Sequence, residues 1–381
     1  MSLLIWLALL IPFLVIIVIW YLGQKVPPWP VLVVPPLLTA TLILLVQGVT
    51  EYSQVADTEY WTNWVVKAEY YEHWNELHEW DETYTETVPN GTDSKGKPKT
   101  KTVTKKRHHK DVIDHPAKWD IIDNDGHCIV IDQAQFETLS GKFKNRKFVA
   151  MHHIYHTVNG DKYEAIWPGD DASLEAVVTT HTYENRIIAS NSIFKFRSID
   201  KHEKESYHLF DYPKVQGYTA PSVLGFSNPS AERKFDILNA RYGKSKQIRI
   251  WVLVFRNQPL EAAFAQQAYW QGGNKNELVL CIGIDDDNKV LWGHVFSWSE
   301  RETLKLEVRD LIQEGKELNL SEIATKLEPI VANEWERKHF KDFQYIAVEP
   351  TAWAVGVTYT ITLLGNVGLL IWFITQNKKL P

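Results

Sequence analysis

Residues Leu3 to Leu22 read LLIWLALLIPFLVIIVIWYL, a run without a single charge, and this stretch decides the architecture. A helix of about 20 apolar residues crosses the roughly 30 Å of hydrocarbon in a bilayer, so the run predicts a transmembrane helix. A cleaved signal peptide is the competing reading. Against it stand the missing basic flank and a length beyond the usual apolar core of such a peptide. A second run, VLVVPPLLTATLILLVQGV from Val31 to Val49, follows a turn holding Pro27, Pro28 and Pro30. Pro35 and Pro36 should kink its first turns, which a membrane helix tolerates where neighbours satisfy the freed carbonyls. No residue from Thr351 to Asn377 is charged, and Trp353 and Trp372 stand where interfacial aromatics belong. The chain of 381 residues thus reads as a two-helix hairpin over 1–50, a large extramembrane region, and a closing membrane helix over 351–376. Its mean hydropathy of −0.26 averages apolar ends with a polar middle and conceals both.

Orientation follows from charges close to the spans. Lys25 lies in the turn between the first two spans, and Lys378 and Lys379 follow the third, which three crossings put on one side. Glu51, Asp57 and Glu59 follow the second span on the other side. The lysines then make the turn and the C-terminus cytoplasmic and the large domain extracytoplasmic, while Arg337, Lys338 and Lys341 ahead of the last span argue the reverse.

The extramembrane region divides by pattern. Residues 51–226 are rich in aromatic, β-branched and His residues, with turn signals at Pro89-Asn90-Gly91, Asn124-Asp125-Gly126 and Asn159-Gly160. Asn-Gly and Asp-Gly between alternating runs mark hairpins, so Trp119 to Ile131 is predicted as one and Lys147 to Trp167 as another. Tyr60 to Val66 and Tyr70 to Val88 read as long strands, and Gln133 to Leu139 as a short helix. Over 227–348 the period changes. A helix from Pro229 to Tyr242, capped by Asn228, precedes strand 247–255, helix 260–270, strands 277–284 and 289–298, and helices 300–313 and 321–340. That alternation argues an α/β sandwich, and the whole chain a membrane-anchored α+β protein.

Several clusters invite a chemical reading. Lys95, Lys97, Lys99, Lys101, Lys105, Lys106, Arg107 and Lys110 form a basic run with no acid among them. Such a run attracts phosphate on lipid or nucleic acid, although a solvated hairpin tip explains the same letters. Nucleic acid is disfavoured because the chain carries a formal charge of −6 and no recognised module accompanies the run. His152 and His156 would share a strand face and could meet a third metal ligand, but no zinc-type spacing supplies one. Asp285, Asp286 and Asp287 end an apolar strand and could bind Ca²⁺ or Mg²⁺; a plain turn before Lys289 is the simpler account. Gly243-Lys244-Ser245 lacks the leading glycine and the strand-loop-helix order of a phosphate loop. Cys128 and Cys281 each sit in an apolar strand and read as buried free thiols, with a disulfide as the alternative for an extracytoplasmic domain. Eleven of the sixteen tryptophans lie between Trp61 and Trp335, which suits either an aromatic core or a partner surface.

The run Ala268-Tyr269-Trp270-Gln271-Gly272-Gly273-Asn274-Lys275-Asn276-Glu277-Leu278-Val279, with Asp342-Phe343-Gln344-Tyr345-Ile346 and Ala56-Asp57-Thr58-Glu59-Tyr60-Trp61, resembles a family of uncharacterised membrane proteins of tailed bacteriophages. Members of that family carry many cysteines in the segment matching Tyr70 to Trp119, where this chain has none. The order strand, helix, Trp-x-Gly-Gly, strand, Asp-Asp, strand over Gln247 to Trp298 also resembles the TPM domain of membrane-anchored envelope proteins. That resemblance implies a fold, and a partner-binding or phosphatase role with Asp285, Asp286 and Asp287 near the acidic site.

These resemblances imply a phage-encoded protein of the host inner membrane. Its partners would be the lipid bilayer and an envelope or host protein met by a periplasmic domain. A membrane-tethered, metal-dependent hydrolase acting through the aspartates is one rival expectation. A virion or replication component at the membrane is another.

Overall fold

The computed structural model describes residues 2–23, 29–92, 94–142, 145–150, 156–158, 161–166, 175–190 and 193–377. Helices over Leu3–Leu22, Trp29–Val55 and Ala352–Thr375 are each long and apolar enough to cross a membrane. The chain is therefore a membrane-anchored α+β protein. The second helix runs unbroken through Pro35 and Pro36 and reaches Val55, six residues past the expected end. Ile5 and Ala8 pack against Ile43, with Val355 and Tyr359 on the same cluster, and the Tyr359 hydroxyl donates to the Leu4 carbonyl at 2.8 Å. These contacts gather the start of the first span, the second half of the second and the start of the third at one end of the bundle. The large domain leaves from that end.

Strand β1 (Ala56–Tyr71) follows the second span directly and organises the first half of the domain. Its first part pairs with β9 (Ala176–Glu184), and its last part lies between β4 (Lys118–Asp123) and β8 (Asp161–Ile166), all antiparallel. β5 (Cys128–Ile131) and β6 (Asn145–Ala150) extend the sheet at its two edges. The hairpin expected at Trp119 to Ile131 is thus present, and the helix expected from Gln133 extends to Lys142. β6 and β8 also pair, but they do not make a simple hairpin, because β7 (His156–Val158) between them joins a different sheet. That sheet is a ribbon of β2 (Trp74–Thr92) and β3 (Pro98–His115), met at its base by β7. The Pro89-Asn90-Gly91 signal does not turn the chain: it lies within β2, and the strands are joined through residues 93–97.

The second half is a four-stranded sheet in the order β10 (Val223–Leu224), β11 (Arg249–Arg256), β12 (Glu277–Ile284), β13 (Val290–Ser297). The first two pairings are parallel and the last antiparallel. Both faces are covered, which is why β11 and β12 read as continuous apolar runs. Ile250, Val252 and Val254 face the helices Pro229–Gly243, Glu302–Glu314 and Leu320–Glu334. Trp251, Leu253 and Phe255 face the helix Glu261–Tyr269 together with Tyr60 of β1 and Val178 of β9. The two sheets therefore share a core. The helix expected over 321–340 is shorter: Asn319 caps it, its side chain accepting from the Glu322 amide at 3.1 Å, and it stops at Glu334. Trp335 is buried there, its indole N–H donating to the Lys246 carbonyl at 3.0 Å, and this anchor turns the chain out of the helix.

Candidate functional sites: a buried junction and a projecting ribbon

The Trp270 to Asn276 motif forms the connection between the Glu261–Tyr269 helix and β12. Gln271, Gly272 and Gly273 all have positive φ, near 53°, 83° and 77°. At Gly272 this freedom is doubled by close approach, since a Cβ there would stand 2.5 Å from the Phe196 ring. The Trp270 indole donates to the Phe210 carbonyl at 2.8 Å and the Trp298 indole to the Gly273 carbonyl at 3.0 Å, holding the turn from both sides.

The turn delivers Asn274 and Glu277 into the shared core. Glu277 is fully buried and accepts from the Asn274 amide at 2.7 Å, the Trp251 indole at 3.0 Å, the Asn274 side chain at 3.2 Å and the Tyr212 hydroxyl. Burial pushes its carboxyl above the ordinary glutamate range, against the lowering pull of the bonds from Tyr212, Asn274 and Trp251. Burial also raises the Tyr212 and Tyr183 hydroxyls, so both remain donors. From β9, the Tyr183 hydroxyl donates to Asp57 Oδ2 at 2.8 Å, with Asn274 Oδ1 3.1 Å away.

The same network crosses between the sheets. Asn276 donates to the Tyr60 carbonyl at 2.7 Å, and fully buried Arg249 donates to Thr62 Oγ1 at 3.0 Å while lying over the Trp251 ring. Lys275 sits over the Tyr183 ring at 4.2 Å, and burial holds its amine below the ordinary lysine range, with Glu59 pulling the other way. Arg337 grips Glu59 through two bonds of 2.7 and 2.9 Å. Glu277 and Glu59 are both met by donors, while Asn276 Oδ1 and Arg249 Nε are buried without a partner, and the network as a whole fastens the two sheets together.

The aspartate triplet forms a turn between β12 and β13. Asp285 Oδ1 accepts from the amides of Asp287 and Lys289 at 3.0 and 2.8 Å, and Asp286 Oδ1 accepts from Asn257 at 2.7 Å. Arg256 binds the carbonyls of Asp285 and Asp286. A guanidinium so close, with the Asp285 carboxylate turned to backbone amides and Asp286 to the Asn257 side chain, is a poor fit to Ca²⁺ or Mg²⁺. Among the described residues no group of three His, Cys, Asp or Glu side chains is arranged to hold a metal. His152 lies outside the described residues, and His156 is described only as part of β7. Cys281 is buried as expected, but Cys128 is exposed, because it opens an edge strand whose outward face meets solvent.

The basic run proves to be half of a zipper. Lys99 to Lys110 lie along β3, with Arg107 and Lys110 directly opposite Glu82 and Glu79 of β2, and Lys95 and Lys97 fall at the tip. Lys105 pairs with Glu86, Lys110 with Glu79 at 2.6 Å, His109 with Glu82 at 2.8 Å and His108 with Asp81 at 2.9 Å. Trp80 stacks on His109 and Trp74 on His115. The ribbon is almost wholly exposed along its length.

Comparison with protein-family models, with curated proteins and with solved structures finds no match for this chain. What the site does must be read from its own geometry. The motif reading of Trp270 to Asn276 missed Arg249 and Tyr183 altogether and gave Glu277, Glu59 and Arg337, though present in the quoted runs or the charge count, no part in the site that they complete. Charged residues at the heads of apolar strands, Glu277 in ELVLCIGI and Arg249 in RIWVLVFR, were the available signal.

Proposed function

We propose that this is a phage-encoded integral protein of the host inner membrane whose large domain projects into the periplasm and binds an envelope or host protein through the β2–β3 ribbon. The ribbon carries the proposal. From Trp74 to Pro89 it extends about 50 Å at the usual rise of a strand. A lone two-stranded ribbon is marginal in water, and this one holds itself together by cross-strand ion pairs and aromatic stacks instead of a core. Such an arm is costly for stability and useful for reach. The mixed sheet flanked by helices supports a TPM-like reading of the second half, whose family includes partner-binding modules. The turn geometry of Asp285 to Asp287 lends nothing to a hydrolase.

A photo-crosslinking side chain placed at Tyr84 in the producing cell should trap a discrete heavier species. The same reagent at Glu322, on a helix remote from the ribbon, should not. Equal or absent adducts at both positions would sink the ribbon's role. Sidedness has its own test, since Cys128 is exposed and Cys281 buried. A membrane-impermeant maleimide should label intact spheroplasts; labelling restricted to inverted vesicles would put the domain in the cytoplasm.

A further inference from the structure

A cleft of about 320 Å³ opens beside the junction, where the chain heads towards the third span. Lys275, Arg337, Lys338 and Lys341 line it together with His339, and Glu184 is its one carboxylate. Glu184 is engaged by Arg186 at 2.5 Å, and Arg337 and Lys275 share the single carboxylate of Glu59 at 2.7 and 3.8 Å, so the wall keeps an excess of positive charge. Lys341 and His339 are exposed, and among the described residues neither has an ion-pair partner. Lys338 is shared with Glu300 at 3.0 Å.

The position of the cleft matters as much as its charge. Glu184 also lines a second cleft, of about 420 Å³, whose other walls include Gly48, Glu51, Tyr52 and Val55 at the emerging end of the second span. Arg186 ties Glu51 to the Ile346 carbonyl, and Gln54 donates to the Glu349 carbonyl at 3.2 Å, so the segment before the third span lies against the second. Exposed Tyr345 stands on that same segment. The cationic cleft and the cleft beside the second span thus share Glu184 as a common wall.

We infer that the cleft binds the phosphate headgroup of an anionic phospholipid from the surrounding membrane, with the acyl chains following the second span past Tyr52 and Gly48. Basic pockets next to membrane helices recognise lipid phosphates in this way, and a basic residue near the surface contributes about a five-fold preference for anionic lipid. The site is independent of the partner reading above, because it uses no residue of the ribbon.

The test uses the full chain in nanodiscs of phosphatidylcholine with increasing phosphatidylglycerol, with retained lipid counted by native mass spectrometry after release into detergent. The wild type should retain phosphatidylglycerol in preference to phosphatidylcholine. Lys341→Gln should reduce that preference about five-fold and Lys341→Gln with His339→Gln at least as much. Lys326→Gln, on the helix Leu320–Glu334 and in the lining of neither cleft, should leave it unchanged. Both test positions are exposed, and an unaltered thermal midpoint will verify folding. No preference in the wild type, or a preference indifferent to Lys341, overturns the inference. Displacement of the lipid by millimolar inorganic phosphate as readily as by phosphatidylglycerol would instead mark a free-phosphate site, and that outcome also overturns it.

Discussion

The β2–β3 ribbon and the Trp270 to Glu277 junction are built from the same kinds of side chain, aromatic and ionisable, yet water reaches one and not the other. On the ribbon, Asp81, Glu82 and Glu86 meet His108, His109 and Lys105 in solvent, where each exposed pair adds little. At the junction, Glu277 and Arg249 are fully buried, and each bond they make offsets a large desolvation cost. Similar chemistry therefore maintains the ribbon's local pairing while adding little to global stability, and at the junction it offsets the cost of burying charge. Among the described residues, none of β2 or β3 belongs to the cores of the two larger sheets.

The largest expected effect breaks the junction. Glu277→Ala strands donors on Trp251, Tyr212 and Asn274 in a dry interior and should cost about 3–5 kcal/mol, read as the denaturation midpoint of the detergent-solubilised chain. A loss under about 1 kcal/mol would mean that the network is dispensable. Gly272→Ala should cost about 1–3 kcal/mol, because its φ near 83° is strained for alanine and the added Cβ collides with Phe196. An unshifted midpoint there would show that Phe196 yields freely.

A smaller, pH-dependent effect sharpens the contrast. Glu277 has a raised pKa in the folded chain, so its stabilising contribution is complete below the ordinary value of 4.5 and is lost as pH rises through the folded value. Across about pH 4 to 8, Glu277→Gln should gain on the wild type as pH rises, measured as the difference in thermal midpoints. A constant difference would refute the raised pKa. Asp123 runs the other way: burial would raise it, but bonds from Asn63, His127 and backbone amides bring it below the ordinary 3.8. Its contribution is present above that value and fades as pH falls through the folded one. The smallest effect belongs to the ribbon, where Trp80→Ala should move the global midpoint by less than about 0.5 kcal/mol while accelerating amide exchange along β2 and β3. Cooperative loss of the whole domain would show that the ribbon is not independent.

Legibility followed the physics of each signal. The three spans were readable because hydrocarbon imposes a length and forbids charge, conditions that a window of residues satisfies alone. β11 and β12 were readable because two buried faces leave an apolar run, and the Pro229 helix because Asn228 and Pro229 mark its start locally. The last helix was drawn too long, since Trp335 ends it through a bond to Lys246, 89 positions away. The basic run was recognised as charged but not as neutralised, because its acids lie on the facing strand. The motif residues were found, and their purpose was not: Asn274, Lys275 and Asn276 act on Tyr183, Glu59 and Tyr60, far away in the chain.

The sequence by itself determined that this protein is anchored by apolar helices and carries a mixed α+β domain between them, because span length, apolar runs and caps are local properties. Only the tertiary structure decided which charges are buried and which are zipped in solvent, and which lysines gather around one cleft. Those outcomes depend on dielectric surroundings and on partners brought close by folding, and no stretch of sequence contains either.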